Sequence, residues 1–218
     1  MIKYFFKYTN KEWLDQHSYR VGTLLDYRRL EHGEGVTDPE EGIKYVDGVV
    51  HHWNSSYPER DPMMTKHLSG FFARDEKGNP NLPVDFTFTN IKVVNKHESE
   101  NFYIYSLSDV FDPNLLEKYD SCLRINNIDG FMGQLSYELN IKTSNINGRD
   151  FKPVVYGSRH SNYQAPSSIH PALLKDKETF GHQREWRIVW NSIQEPQPET
   201  LVSPKISQFV ELIYTKAS

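Results

Sequence analysis

The run Gln183-Arg184-Glu185-Trp186-Arg187-Ile188-Val189-Trp190 carries the residue types best suited to chemistry. Taken as a strand, its two-residue period sets Gln183, Glu185, Arg187 and Val189 on one face and Arg184, Trp186, Ile188 and Trp190 on the other. The Trp/Ile side is a core face, so Gln183, Glu185 and Arg187 are expected together, towards ligand or solvent. A carboxylate fixed on a rigid strand suits stabilisation of a developing cation. An exposed cross-strand charge ladder would use the same residues without a ligand. In Tyr103-Ile104-Tyr105-Ser106-Leu107-Ser108 the same period puts Ser106 and Ser108 on the face of Ile104. Those hydroxyls can orient a sugar or a carboxylate, or bond locally to backbone. Lys7, Tyr8 and Thr9 end the first aromatic-rich strand, with Lys7 and Thr9 facing together, and Arg28 and Arg29 are cations of the kind that hold a pyrophosphate or sit solvated in a loop.

Other chemistries lack the necessary spacing. The 9 histidines form no His-x-x-x-His or Glu-x-x-His group, and the neighbours His51 and His52 diverge on a strand, so no metal site is expected. No Gly-x-Ser-x-Gly elbow surrounds a serine, and no Gly-x-Gly-x-x-Gly or Walker-type loop lies between a strand and a helix. A metal-independent nuclease would have to draw its acid and base from His32, Glu34 or His182, which no spacing brings together.

The elements that position these residues follow from pattern and punctuation. Strands are expected over residues 2–9, 19–25, 43–50, 66–73, 84–94, 102–108, 152–156, 183–190 and 208–214, mostly by apolar alternation bounded by Gly, Pro or Asn. Helices are expected after Asn10, after Asp112-Pro113, from Asp129 through Phe131, Met132, Leu135 and Leu139, and over 170–180 opened by Pro171. Residues 26–42 read as a polar, glycine-bearing loop, and a proline-rich connector precedes the last strand. The order is α+β, a mostly antiparallel sheet with flanking helices, in one domain spanning residues 1–218.

Composition narrows the class further. Hydrophobic residues are 37% of the chain while aromatics reach 13%, so a few large rings supply much of the buried area and wholesale disorder is excluded. The mean hydropathy is -0.68 and no long apolar run occurs, so neither a membrane span nor a signal peptide is expected. One cysteine, Cys122, excludes an internal disulfide and fits a reducing cytoplasm. A net charge of -4 announces no nucleic-acid binder globally, though Arg28, Arg29, Arg184, Arg187, Lys152 and Arg159 would suffice for a local phosphate-binding surface.

Phe6-Lys7-Tyr8-Thr9, the Leu24-to-Leu30 run with Asp38-Pro39-Glu40-Glu41, Tyr105-Ser106-Leu107-Ser108 and Gln183-to-Val189 resemble, in order and across most of the chain, a large bacterial family of unassigned function. The same order is similar to the ADP-ribosyltransferase superfamily, whose split antiparallel sheet grips NAD and whose members cleave its nicotinamide N-glycosidic bond. The resemblance implies Glu185 as the catalytic carboxylate and Gln183 as its partner, positioning the acceptor. It implies an NAD-binding role for Lys7, Tyr8, Thr9, Tyr27, Arg28, Ser106 and Ser108. Lys7 stands where related families carry His or Arg. NAD is then a substrate, no metal is needed, and the chain is expected to be an intracellular toxin or anti-phage effector. Its acceptor is RNA ahead of DNA or protein, and an antitoxin is an expected partner. From another class, an inactive nucleotide- or partner-binding module on the same fold fits the same residues.

Overall fold

The computed structural model describes residues 4–28, 38–68, 72, 74–78, 81 and 86–216. Its elements run β1 (Phe5–Thr9), α1 (Lys11–Asp15), β2 (Ser18–Thr23), β3 (Ile43–Asn54), α2 (Pro62–Leu68), β4 (Thr87–Glu98) and β5 (Tyr103–Ser108). There follow β6 (Ser121–Ile125), α3 (Ile128–Thr143), β7 (Ile146–Pro153), β8 (Val155–Tyr156), β9 (His160–Asn162), β10 (Leu174–Lys175), α4 (Lys177–Phe180), β11 (Glu185–Ser192), β12 (Glu199–Val202) and β13 (Val210–Thr215). Short 3-10 turns at Asp26–Arg28, Pro113–Glu117, Pro171–Leu173 and Gly181–Gln183 join them. The fold is α+β with mostly antiparallel pairing, as expected from the strand-rich pattern; β8–β10 and β3–β9 are parallel.

The main sheet is ordered β12-β2-β5-β1-β6-β13, with β11 and then β7 added against β5. On one edge β5 pairs with β11 from Tyr103↔Trp190 to Ser108↔Glu185. Its other edge is shared. β2 pairs with it at Tyr103 and Ile104 and β1 at Ser108, so Tyr105, Ser106 and Leu107 lie at a split between β1 and β2.

Alternation along β5 and β11 gives the two faces different environments. Tyr103, Tyr105, Leu107, Ile188 and Trp190 enter the main core, which α3 closes with Phe131, Met132, Leu135 and Leu139. α3 is held at its start by Asn127, whose side chain accepts from the Gly130 amide, and stops at Ser144 in a left-handed conformation with φ 50°. A second core of Val46, Val50, Trp53, Met64, Leu68, Val93 and Tyr163 is built between the β4-β3-β9 sheet and α2. Cys122 on β6 is fully buried, and burial pushes its thiol up to about 12.

Several sequence expectations are corrected. Residues 66–68, expected in a strand, end α2, whose first residue Pro62 is pre-set for helix. The helix expected over 170–180 breaks into the Pro171–Leu173 turn, β10 and α4. Asp176 explains the break, because it caps α4 by accepting from the Thr179 amide and so sits in extended backbone before it. β11 begins two residues late, at Glu185, since Arg184 adopts a left-handed φ of 45° and Gln183 belongs to the preceding turn. β12, hidden by the proline-rich connector, was not anticipated. No described helix is long and apolar enough to cross a membrane.

Candidate active site

The split in the sheet opens into a cleft lined by Phe6, Lys7, Tyr8, Tyr27, Ser106, Leu107, Ser108, Leu115, Tyr119, Lys175, Gln183 and Glu185. Its atom-free space is about 620 Å3 counting the open mouth. Of the residues expected at the site from sequence, Lys7, Tyr8, Tyr27, Ser106, Ser108, Gln183 and Glu185 lie on this wall, and Thr9, Arg28 and Arg187 do not.

Glu185 stands at the first position of β11, opposite Ser108 on β5. The Ser106 hydroxyl donates to Glu185 Oε1 at 2.5 Å, and Arg187 Nε donates to the same oxygen at 2.7 Å. Lys175 Nζ lies 2.7 Å from Glu185 Oε2. The Glu185 amide donates to the Tyr156 hydroxyl at 2.7 Å, which fixes the backbone at the head of the strand. Burial alone would raise this carboxyl, but the charges of Arg187 and Lys175 and their hydrogen bonds win and hold it well below the ordinary carboxylate range. Glu185 is therefore an anion at neutral pH, positioned to stabilise positive charge and unsuited to giving up a proton.

Arg187 is not displayed to solvent, and no exposed charge ladder forms. Fully buried, its guanidinium makes a two-pronged contact with Glu41, at 2.8 Å to Oε1 and 3.0 Å to Oε2, and donates to the Ala172 carbonyl at 2.5 Å. The two carboxylates at Glu41 and Glu185 balance the two cations at Arg187 and Lys175, which is the condition under which buried charges are tolerated. Arg187 thus acts on the cleft only through Glu185.

The other wall groups are mostly donors. Lys7 reaches into the split, where its Nζ donates to the Ser106 carbonyl at 3.1 Å and lies 4.4 Å from the centre of the Tyr105 ring. Burial lowers its ammonium to about 8 against the opposing pull of Glu185. The Tyr27 hydroxyl is hydrogen-bonded to Ser106, and burial raises it to about 12. Tyr8 is likewise raised to about 12 by burial, and its oxygen accepts from the Asp112 amide at 2.5 Å. Tyr119 is raised by burial and then by Glu185. All three phenols keep their protons near neutrality.

Three expectations change on this geometry. Ser108 lines the cleft but donates to the carbonyls of Val110 and Gln183, each at 2.9 Å, so its hydroxyl holds the turn rather than a ligand. Thr9 pairs with Ser121 at the far end of β1 and does not line the cleft. Arg28 donates from Nε to the Glu41 carbonyl at 2.6 Å and pairs with Glu98, clipping the two sheets together instead of meeting a pyrophosphate. Gln183 reaches the cleft from its turn, and its Oε1 accepts from Lys175 Nζ at 3.3 Å.

Lys175, Tyr119 and Tyr156 escaped the sequence reading as site residues, and Glu41 entered it only within the Asp38-to-Glu41 run, with no role. Lys175 falls inside an expected helix that does not form, and nothing local marks the two tyrosines. The basic surface drawn from six cations also does not assemble. Arg187 and Arg159 are buried, the latter against Asp38 and Glu40, while Arg28, Arg184 and Lys152 are paired with Glu98, Asp109 and Asp150. Arg29, His32 and Glu34 lie outside the described residues. Among the described residues no group of His, Cys, Asp and Glu is arranged to hold a metal. No family model, curated protein or solved structure matches the chain.

Proposed function

We propose that this chain is an NAD-dependent ADP-ribosyltransferase with Glu185 as its catalytic carboxylate. The observation that carries the reading is the Glu185 anion on the wall of the sheet split, held by Ser106, Arg187 and Lys175. Cleavage of the nicotinamide N-glycosidic bond sends the bonding pair to the departing ring, which leaves as neutral nicotinamide, and develops positive charge on the ribosyl carbon. A preorganised carboxylate beside that carbon lowers the barrier, as in glycoside hydrolysis. The acceptor oxygen or nitrogen then bonds to the same carbon and loses its proton to solvent. Gln183, beside Glu185 at the cleft, positions the acceptor through its amide. Tyr27, Tyr119 and Lys7 donate to the ligand's oxygens.

The acceptor placed first is RNA, ahead of DNA and protein, and the setting is the cytoplasm, where a toxin of this kind requires a neutralising antitoxin. These parts rest on the order of the four sequence motifs. A second reading, a nucleotide-binding module without turnover, is favoured by one observation: both oxygens of Glu185 are already engaged.

The deciding experiment incubates purified protein with labelled NAD and, separately, RNA, single-stranded DNA, duplex DNA or cell lysate. Label should move to one acceptor class with wild type and drop by about a thousandfold or more with Glu185→Gln, whose folding is checked by circular dichroism. Full activity in Glu185→Gln would sink the assignment. Binding of NAD without any consumption would select the inactive module.

A further inference from the structure

Lys175 contacts both Glu185 and Gln183, the two residues assigned to the chemistry. Its Nζ lies 2.7 Å from Glu185 Oε2, 3.3 Å from Gln183 Oε1 and 3.6 Å from Glu41 Oε2, and it sits 5.0 Å from the centre of the Phe180 ring. It is almost wholly buried by protein, yet it forms part of the cleft wall. β10, which carries it, is only two residues long and is paired with the equally short β8, between the Pro171–Leu173 turn and α4.

Two further facts bear on what such a lysine does. Arg28 pairs with Glu98 and the Glu41 carbonyl, keeps an unpartnered buried Nη2 and does not line the cleft, so the described cations facing the cleft are Lys7 and Lys175. Glu185 Oε1 is closely held by Ser106 and Arg187 Nε, whereas Oε2 meets Arg187 Nη2 only at 3.4 Å, so the oxygen open to a ligand is Oε2, and Lys175 covers it at 2.7 Å.

Resting on the glycosyl-transfer reading, we infer that Lys175 is the phosphate-recognising residue of the cleft and that it masks Glu185 until an anionic ligand draws it away. A ligand with a cationic N-glycosyl end and a diphosphate end inserts into the ion pair. The ribosyl carbon takes Lys175's place at Oε2, and the diphosphate takes Glu185's place at Nζ. Breaking a buried ion pair and leaving both partners bare is costly, whereas exchanging one partner for another of the same sign is not. Glu185 retains Arg187 and Ser106 throughout, so it stays ionised when Lys175 leaves. The consequence is selection by charge. A compound with the same scissile bond but no phosphate meets a covered carboxylate.

The test compares nicotinamide release from NAD and from nicotinamide riboside, which has the same N-glycosidic bond and no phosphate. Binding of ADP-ribose is measured beside it by tryptophan fluorescence. Wild type should favour NAD by about 100-fold in kcat/KM. Lys175→Met should bring that ratio to within about tenfold, with riboside turnover kept or raised, and should weaken ADP-ribose by about tenfold or more. Lys175→Arg preserves the charge and should keep most of the discrimination, and melting curves confirm that both variants fold. Equal fractional loss on both substrates in Lys175→Met would assign Lys175 to general support of the site and overturn the inference. So would equal affinity of wild type and Lys175→Met for ADP-ribose, an arm that requires no turnover. If wild type releases nicotinamide from neither substrate while Lys175→Met still weakens ADP-ribose, the glycosyl-transfer reading fails and anion recognition by Lys175 stands.

Discussion

Lys7 stands inside the sheet split with charged neighbours of both signs, Glu185 raising its affinity for a proton and Arg20 lowering it, while burial dominates and brings the ammonium to about 8. A base whose pKa falls on folding costs stability while charged in the folded state and recovers it as pH rises from the folded towards the unfolded value. Lys7→Met is therefore expected to stabilise the protein at pH 7, with the advantage shrinking between pH 8 and the ordinary lysine range near 10.5, as urea unfolding at several pH values would measure. Affinity for ADP-ribose should fall in wild type as pH rises through about 8, and stay flat there in Lys7→Met. At this scale the sequence was informative wherever alternation is strict: counting in twos set Ser106 opposite Tyr105 and Leu107 on β5 and Glu185 opposite Trp186 and Ile188 on β11, and strand pairing brings the two together. It was silent on Lys175, which an expected helix concealed, and gave Glu41 no role, because its partner Arg187 lies far along the chain and no local pattern encodes a long-range ion pair. It misjudged Arg187, because a strand face with two charges looks solvated until its counter-ions are known.

The elements owe their limits to capping and to special backbone as much as to hydrophobic pattern. α3 was visible from the spacing of Phe131, Met132, Leu135 and Leu139, all buried in the structure. Its ends carry separable contributions. Asn127→Ala removes the acceptor for the Gly130 amide and should cost about 1 kcal/mol. Ser144→Gly relieves a left-handed residue at φ 50° and should gain up to about 1 kcal/mol. Opposite shifts of the urea midpoint at constant slope would verify both. The region 170–184 was the least legible, since proline, aspartate and glycine there admit either one helix or three short pieces. Asp176 capping α4 and Arg184 at φ 45° decide for pieces, and those pieces deliver Lys175 and Gln183 to the cleft.

Across the whole molecule, two sheets with separate cores are tied by the buried pair of Arg187 and Glu41, while Arg159 with Asp38 and Glu40 joins the segments that lead into β9 and β3 of the second sheet. Breaking the first tie on one side strands a buried ion, so Glu41→Gln should cost about 3–5 kcal/mol, seen as a large fall in the urea midpoint. The Glu41→Gln/Arg187→Met double variant should lose less than the sum of its parts, and strict additivity would show that the pair is not coupled. The α+β, antiparallel character was legible from strand spacing alone. A split sheet was expected only through the resemblance, because pairing between distant strands, here of β5 with β1 and β2, leaves no mark on either. One modest feature has practical reach. The chain's single thiol, Cys122, is sealed in the interior and held protonated. This chain is thus expected to be silent to maleimide dyes and spin labels while folded, and a reporter cysteine introduced beside the cleft would follow ligand entry without background from Cys122.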